Sequence, residues 1–214
     1  MQFQEKKVTY TTKNTYATLH SITTKTKNIW IVFHGIGYLS KYFLRHFDEL
    51  NGDENYIIAP QAPSKYYLNG QYKHIGASWL TKEQTTQEID NVLSYLDQVI
   101  ENEQLPSNCN LIVFGYSQGV SIAARWVAKR KIQCDHLILY AGGIPSELNA
   151  EQFLFLKNKC QVKFIVGNKD EFIQEEQLTV QKNRIEELFH GRAQLQVYDG
   201  GHELQKKLIN IFFI

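Results

Sequence analysis

The chain has 214 residues, of which 43% are hydrophobic and 21% are charged, as in an ordinary globular protein, and we expect one domain over residues 1–214. The formal net charge of +1 gives no reason to expect nucleic acid or a membrane surface as a partner. Residues 1–12 lack the apolar core of a signal peptide, and no apolar run is long enough to span a membrane, so we expect a cytoplasmic protein. Cys109, Cys134 and Cys160 lack the spacing of metal ligands, so we expect reduced thiols and no metal.

Strands and helices are predicted to alternate along the chain. The predicted strands cover residues 8–10, 16–22, 29–33, 56–59, 111–114, 136–140, 162–166 and 194–198. The predicted helices cover residues 41–50, 83–101, 120–129, 150–157, 175–189 and 203–213, and an aromatic loop covers residues 60–79. This alternation predicts an α/β protein with a mostly parallel sheet and helices on both faces.

The most informative motif lies between a predicted strand and a predicted helix. It reads Gly115-Tyr116-Ser117-Gln118-Gly119, which is the Gly-x-Ser-x-Gly pattern of a nucleophile elbow. Glycines allow the strand and the helix to pack closely around the turn. The serine hydroxyl then lies at a helix N-terminus, where developing negative charge is favoured. The motif predicts that Ser117 is a catalytic nucleophile.

An acid and a histidine follow two later predicted strands. Asp170 and His202 come just after the strands at 162–166 and 194–198, so both are expected at the edge of the sheet where Ser117 lies. His202 would take the proton of the serine, and Asp170 would orient the imidazole. Asp199 and Glu171 are rival acids, although Asp199 is too close to His202 in sequence to reach its far ring nitrogen easily.

These residues belong to a longer series of motifs that runs across nearly the whole chain. The series reads His34-Gly35-Ile36-Gly37, Ala59-Pro60-Gln61-Ala62-Pro63, Ser78-Trp79, Gly115-Tyr116-Ser117-Gln118-Gly119, Gly167-Asn168-Lys169-Asp170 and Gly201-His202. In this order the chain resembles the phospholipase/carboxylesterase family of α/β-hydrolases, which includes acyl-protein thioesterases. The resemblance implies an α/β-hydrolase fold with Ser117 as nucleophile, Asp170 as acid and His202 as base. It also implies an oxyanion hole made by the backbone N–H groups of Ile36 and Gln118. The segment 34–37, which carries Ile36, is called the oxyanion loop below, and His34 is expected to shape this loop rather than to transfer protons.

Two segments depart from the family pattern. Asp170 is followed by Glu171-Phe172-Ile173, where the family often has a small or β-branched residue that fixes the acid. The loop after Pro63 is unusually rich in aromatic residues, and no helical lid is evident. Its candidate substrate-binding residues are Tyr66, Tyr67, Leu68, Tyr72, His74 and Trp79. These side chains could line an acyl or alcohol pocket, or they could simply pack the loop against the protein.

The function that we predict from the sequence is a serine carboxylic-ester hydrolase that acts on small soluble acyl esters through an acyl-enzyme, without a cofactor. Whether the substrate is an ester or a thioester stays open, as do the acyl chain length and the oligomeric state. The alternative is a non-catalytic ligand-binding protein on the same fold. A third reading is a peptidase or a C–C hydrolase on this scaffold.

Overall fold

The computed structural model of the protein describes residues 3–211, and a seven-stranded sheet lies at its centre. The strands are β1 (Tyr16–Leu19), β2 (Asn28–Phe33), β3 (Asn55–Pro60), β4 (Ser64–Tyr67), β5 (Ile75–Ser78), β6 (Asn110–Tyr116), β7 (His136–Tyr140), β8 (Gln161–Gly167) and β9 (Ala193–Tyr198). The large sheet has the order β1-β3-β2-β6-β7-β8-β9, and β4 pairs with β5 in a separate hairpin. Among the strands of the large sheet that residues 3–211 form, only β1 is antiparallel to its neighbour.

Helices cover both faces of this sheet. They are α1 (Ser40–Phe43), α2 (Thr85–Glu103), α3 (Gln118–Arg130), α4 (Glu175–Phe189) and α5 (Lys206–Ile211). One apolar cluster contains side chains of α2, α3 and α4, and a second contains side chains of α1 and α5. The predicted mostly parallel sheet between two helical layers is therefore confirmed, and its topology is that of an α/β-hydrolase.

The central strand β2 shows why the sequence folds in this way. Its residues alternate between the two clusters, with Ile29, Ile31 and Phe33 in one and Trp30 and Val32 in the other. Successive side chains of a strand point to opposite faces. A continuous apolar run is therefore stable only where both faces are covered.

Short elements differ from the prediction. Residues 8–10 are exposed and form no strand, because no neighbouring strand pairs with them. The predicted helix at 41–50 is reduced to α1 and a 3-10 turn at Leu44–His46. The predicted helix at 150–157 is a 3-10 turn at Ala150–Phe153. Short helices gain little from local propensity, so tertiary packing decides them.

The last predicted helix begins later than expected. Helix α5 starts at Lys206, whereas residues 203–205 are not helical. Glu203 O and Gln205 N lie within hydrogen-bond distance of tyrosine hydroxyl groups, which replace helical bonds at these positions. The end of the predicted helix, residues 212–213, lies outside the described residues.

The aromatic loop contains the hairpin that the sequence pattern did not indicate. Strands β4 and β5 pair antiparallel from Ser64↔Ser78 to Tyr67↔Ile75, and a 3-10 turn at Leu68–Gly70 lies between them. A bonded hairpin explains how a segment of this length is ordered without a helix.

All three cysteines are free, and Cys134 and Cys160 are buried with their Sγ atoms 3.9 Å apart.

Within residues 3–211, every helix is too short or too polar to cross a membrane.

Candidate active site

The nucleophile elbow joins β6 to α3 in a strained turn. Ser117 has φ 53° and ψ −120°, a combination that L-residues rarely adopt and that is common at functional sites. A Cβ added to Gly115 would lie 2.5 Å from Gly119 O, and a Cβ added to Gly119 would lie 2.1 Å from Phe33 O. Only glycine fits at both positions, so the motif is required by the close approach of strand and helix.

Ser117, His202 and Asp170 form a hydrogen-bonded row. Ser117 Oγ lies 2.9 Å from His202 Nε2, and His202 Nδ1 lies 2.8 Å from Asp170 Oδ2. The Asp170 side chain is fully buried, whereas 18% of the His202 side chain is exposed. A base that touches the hydroxyl and is oriented by a buried carboxylate is the arrangement that activates a serine.

The second oxygen of Asp170 is bonded by the segment that departs from the family pattern. Asp170 Oδ1 accepts hydrogen bonds from Phe172 N at 2.8 Å and Ile173 N at 3.1 Å. The Phe172 ring also packs edge-on against the His202 ring, with centroids 4.7 Å apart. The backbone of this segment thus holds the Asp170 carboxylate, and its large side chain packs on the imidazole of His202.

Neither rival acid is bonded to His202. Asp199 is exposed, and its Oδ1 lies 2.8 Å from Lys169 Nζ. The hydrogen bond from Lys169 holds the pKa of the Asp199 carboxyl below its usual range. Glu171, the residue after Asp170, is exposed. The geometry therefore favours Asp170 as the partner of the imidazole.

The two backbone N–H groups proposed for the oxyanion hole come from segments next to Ser117. A Cβ added to Gly35 would lie 3.1 Å from Ser117 Cβ, so the loop that carries Ile36 passes directly beside Ser117. The N–H of Gln118 is the first of helix α3 and has no intrahelical acceptor. Gly37 N donates to Ala77 O at 2.8 Å, which ties the same loop to β5.

The buried side chain of His34 binds the backbone of the oxyanion loop. It is fully buried, with Nδ1 2.8 Å from Gly35 O, and its Nε2 accepts a hydrogen bond from Ala62 N at 3.2 Å. Burial lowers the pKa of His34 to about 4. The imidazole is therefore neutral near pH 7, donates through Nδ1–H and has both nitrogens engaged in structure.

The β4–β5 hairpin lies against the oxyanion loop. A Cβ added to Gly76 would lie 2.6 Å from Gly37 O, and one added to Gly37 would lie 3.7 Å from Leu68 Cδ2 and 3.8 Å from Tyr66 Oη. Tyr66 and Leu68 thus come close to the loop of the candidate site.

The other residues of the aromatic loop divide into an exposed group and a buried one. Tyr67 and Tyr72 are 48% and 89% exposed, with ring centroids 4.9 Å apart, and His74 is also exposed. Trp79 is completely buried, and its Nε1 donates to His34 O at 2.8 Å. Of the two roles that the sequence left open for Trp79, its burial favours packing against the protein over lining a substrate pocket.

The side chain of Gln118 has a role that sequence reasoning missed. Gln118 Oε1 accepts from Trp79 N at 2.8 Å, and Gln118 Nε2 donates to Leu80 O at 2.8 Å and to Ser78 Oγ at 3.0 Å. This amide fastens the end of β5 to the elbow. The sequence pointed to Gln118 only because it follows Ser117, and that position predicts a role for its backbone N–H rather than for its side chain.

Two cavities lie at the opposite edge of the sheet. One of about 710 Å³ is lined by Lys25 and Asp53, which form an ion pair at 3.0 Å. The other, of about 410 Å³, is lined by Leu105, Cys134 and Lys159. Neither has Ser117 in its lining, so they do not compete with the elbow as the place of chemistry.

Comparison with known proteins points to one family. The family model described as phospholipase/carboxylesterase matches residues 14–212. Among solved structures, Zea mays acyl-protein thioesterase 2 is similar with a TM-score of 0.70 at 13% identity, covering 94% of this chain and 96% of that one. A phospholipase/carboxylesterase from Dyadobacter fermentans has a TM-score of 0.64 at 21% identity, with coverage of 95% and 96%. Esterase PE8 has a TM-score of 0.67 at 17% identity, with coverage of 94% and 98%. No curated protein sequence matches the chain.

Proposed function

The chain belongs to the phospholipase/carboxylesterase family, and from this premise we propose that it is a serine carboxylic-ester hydrolase. Membership of the family indicates a hydrolase of the esterase kind. The proposal adds the mechanism: Ser117 is the nucleophile, His202 the general base and Asp170 the acid that orients it. The observation that carries it is the hydrogen-bonded row from Ser117 Oγ through the imidazole to the buried carboxylate.

In the acylation half-reaction, His202 Nε2 takes the proton of Ser117 as Oγ attacks the carbonyl carbon of the ester. The negative charge that forms on the carbonyl oxygen is stabilised by the N–H groups of Ile36 and Gln118. Such donors typically lower the barrier by about 3 kcal/mol each. When the tetrahedral intermediate collapses, the imidazolium gives its proton to the leaving alkoxide or thiolate, and an acyl-enzyme remains.

In the deacylation half-reaction, water takes the place of the leaving group. His202 accepts a proton from the water, which attacks the acyl-enzyme, and the same proton returns to Ser117 Oγ as the acid leaves. Asp170 stays ionised throughout and stabilises the imidazolium without accepting its proton. Its buried oxygens, bonded to two backbone N–H groups and to Nδ1, suit that role.

The alternative of a non-catalytic binding protein is less well supported. A ligand-binding site has no need for a serine in a strained backbone conformation together with a base and a buried acid at hydrogen-bond distances. Strain of this kind is maintained only where the surrounding structure enforces it, and here two glycines are required for it.

For the substrate we propose small soluble acyl esters, and acyl thioesters are the second substrate class to be tested. Tyr66 and Leu68 lie beside the oxyanion loop, and Tyr67 and Tyr72 present aromatic surface nearby, which suits an acyl chain. The similar structures include both a thioesterase and an esterase by name. We also propose that the chain acts as one domain in the cytoplasm.

The test combines an active-site label with a substrate panel. A fluorophosphonate probe should modify Ser117, and p-nitrophenyl esters of rising chain length, with matching acyl thioesters, should be hydrolysed. The control is Ser117→Ala, which should neither react nor turn over. Failure of the folded wild-type protein to react with the probe and with every ester and thioester would favour the binding-protein alternative. Cleavage of peptide or C–C substrates in preference to esters would favour the third reading.

A further inference from the structure

The loop that carries His202 is held by the hydroxyl groups of three tyrosines. Each of these is the last residue of a strand: Tyr116 ends β6, Tyr140 ends β7 and Tyr198 ends β9. All three belong to the same apolar cluster on one face of the sheet and are buried. Their hydroxyl groups therefore meet at the edge where the triad lies.

Tyr198 and Tyr140 hold the backbone on both sides of the histidine. Tyr198 Oη lies 2.8 Å from Gly201 O and 2.7 Å from Glu203 O. Tyr140 Oη accepts a hydrogen bond from Gln205 N at 3.2 Å. The loop is thus bonded immediately before and after His202.

Tyr116 makes the most direct of these contacts. Its hydroxyl donates to the carbonyl oxygen of His202 itself at 2.5 Å, and the two rings lie 5.5 Å apart between centroids. Tyr116 also immediately precedes Ser117 in the chain. One residue therefore connects the end of the strand that carries the nucleophile to the backbone of the base.

The local sequence explains why such bonds are needed. His202 follows Gly200 and Gly201, and glycine has more backbone freedom to lose than any other residue. Gly201 N donates to Glu203 Oε2 at 2.9 Å, a bond within the loop that does not connect it to the sheet. The tyrosine hydroxyls provide that connection. Burial raises the pKa of the Tyr116 phenol, so the hydroxyl remains a neutral donor.

We infer that Tyr116 is a positioning residue, whose hydroxyl acts through the carbonyl of His202 to keep Nε2 at hydrogen-bond distance from Ser117 Oγ. The inference rests on the proposed function, because it assigns a role within that triad. Tyr116 does not touch the reacting atoms in this role. Its effect should appear only where His202 is used.

The variant that tests this is Tyr116→Phe, which removes one oxygen and keeps the ring. We expect kcat for p-nitrophenyl acetate to fall about 10- to 100-fold, since small displacements of catalytic groups have effects of this size. KM should stay within about twofold, because substrate binding does not use the hydroxyl. The rate of Ser117 modification by a fluorophosphonate should fall by the same factor as kcat.

The matched control is Tyr56→Phe. Tyr56 is also buried, and its hydroxyl donates to Glu103 Oε2 at 2.6 Å, at the start of β3 and hence at the opposite edge of the sheet. This variant removes the same group from a site remote from the triad. It should change the melting temperature as Tyr116→Phe does, and leave kcat unchanged.

A double variant separates positioning from a general structural role. In a His202→Ala background, adding Tyr116→Phe should cause no further loss of the residual activity, because the imidazole that the Tyr116 hydroxyl positions is absent. A further loss of 10-fold or more in that background would overturn the inference. So would a Tyr116→Phe protein whose kcat equals that of Tyr56→Phe.

The outcomes also separate this inference from the proposed function. A wild-type protein that hydrolyses esters and reacts at Ser117, with an unaffected Tyr116→Phe variant, would overturn the positioning role alone. A wild-type protein that does neither would overturn both. If Tyr116→Phe does not fold, Tyr198→Phe takes its place. A smaller fall in kcat at constant KM is then expected, and a kcat equal to that of Tyr56→Phe would overturn the inference.

Discussion

Replacing His34 by asparagine should remove a specific part of the pH dependence of stability. His34 is fully buried beneath the oxyanion loop, and burial lowers its pKa to about 4 from the usual 6.5. At pH 8 the imidazole is neutral in the folded and unfolded protein alike. As the pH falls from 6.5 to 4, the unfolded chain binds a proton that the folded protein does not. The free energy of unfolding therefore decreases over this window as the pH falls.

The size of the effect follows from the difference in pKa. A pKa of about 4 against 6.5 corresponds to roughly 3 kcal/mol of stability lost by pH 4, and to about 2.5 kcal/mol by pH 4.5. In His34→Asn this dependence is absent. The variant should be less stable than the wild type at pH 8, because the bonds to Gly35 O and Ala62 N are changed. The difference between the free energies of unfolding of the two proteins should then narrow as the pH falls.

The assay is urea unfolding of both proteins at half-unit steps from pH 8 to pH 4.5. Burial also lowers the pKa of His46 and of His136, but these groups titrate in both proteins and cancel in the difference. We expect the difference in the free energy of unfolding between the two proteins to narrow by about 1 kcal/mol per pH unit between pH 5.5 and pH 4.5. A gap that stays constant from pH 8 to pH 4.5 would refute the conclusion that His34 is a buried neutral imidazole.

Three further outcomes test the site by enzyme assay. Ser117→Ala should lower ester hydrolysis by about 10⁴-fold or more while the circular dichroism spectrum is retained; near-normal turnover would exclude Ser117 as nucleophile. Asp170→Asn should lower kcat by about 10⁴-fold, whereas Asp199→Asn should have little effect; the reverse would reassign the acid. Tyr67→Ala should change the ratio of kcat/KM for short against medium p-nitrophenyl esters by roughly 10-fold. An unchanged ratio in a folded variant would mean that the exposed ring of Tyr67 is not part of the substrate site.

Much of the architecture could be predicted because it is encoded locally. The apolar run of β2 predicts a strand that is buried on both faces, and the structure places its side chains alternately in two clusters. Ser117 could be identified as the candidate nucleophile because the motif itself contains the glycines that the close approach of α3 to β6 and to β2 requires. Parallel strands share one edge for their carboxyl ends, so Asp170 and His202 could be expected near each other.

Other features depend on contacts between residues that are far apart in the sequence. The sequence left open whether Trp79 lines a pocket or packs against the protein; its ring is buried, because it packs against Phe33 of β2 and donates to His34 O. The bond between Tyr116 and the carbonyl of His202 spans 86 positions. Periodicity reports which face of an element is buried, but not which distant group it will meet. The sequence by itself thus determined the alternation of strands and helices around the parallel sheet and the candidate nucleophile, while only the tertiary structure decided what holds the imidazole of His202 in place.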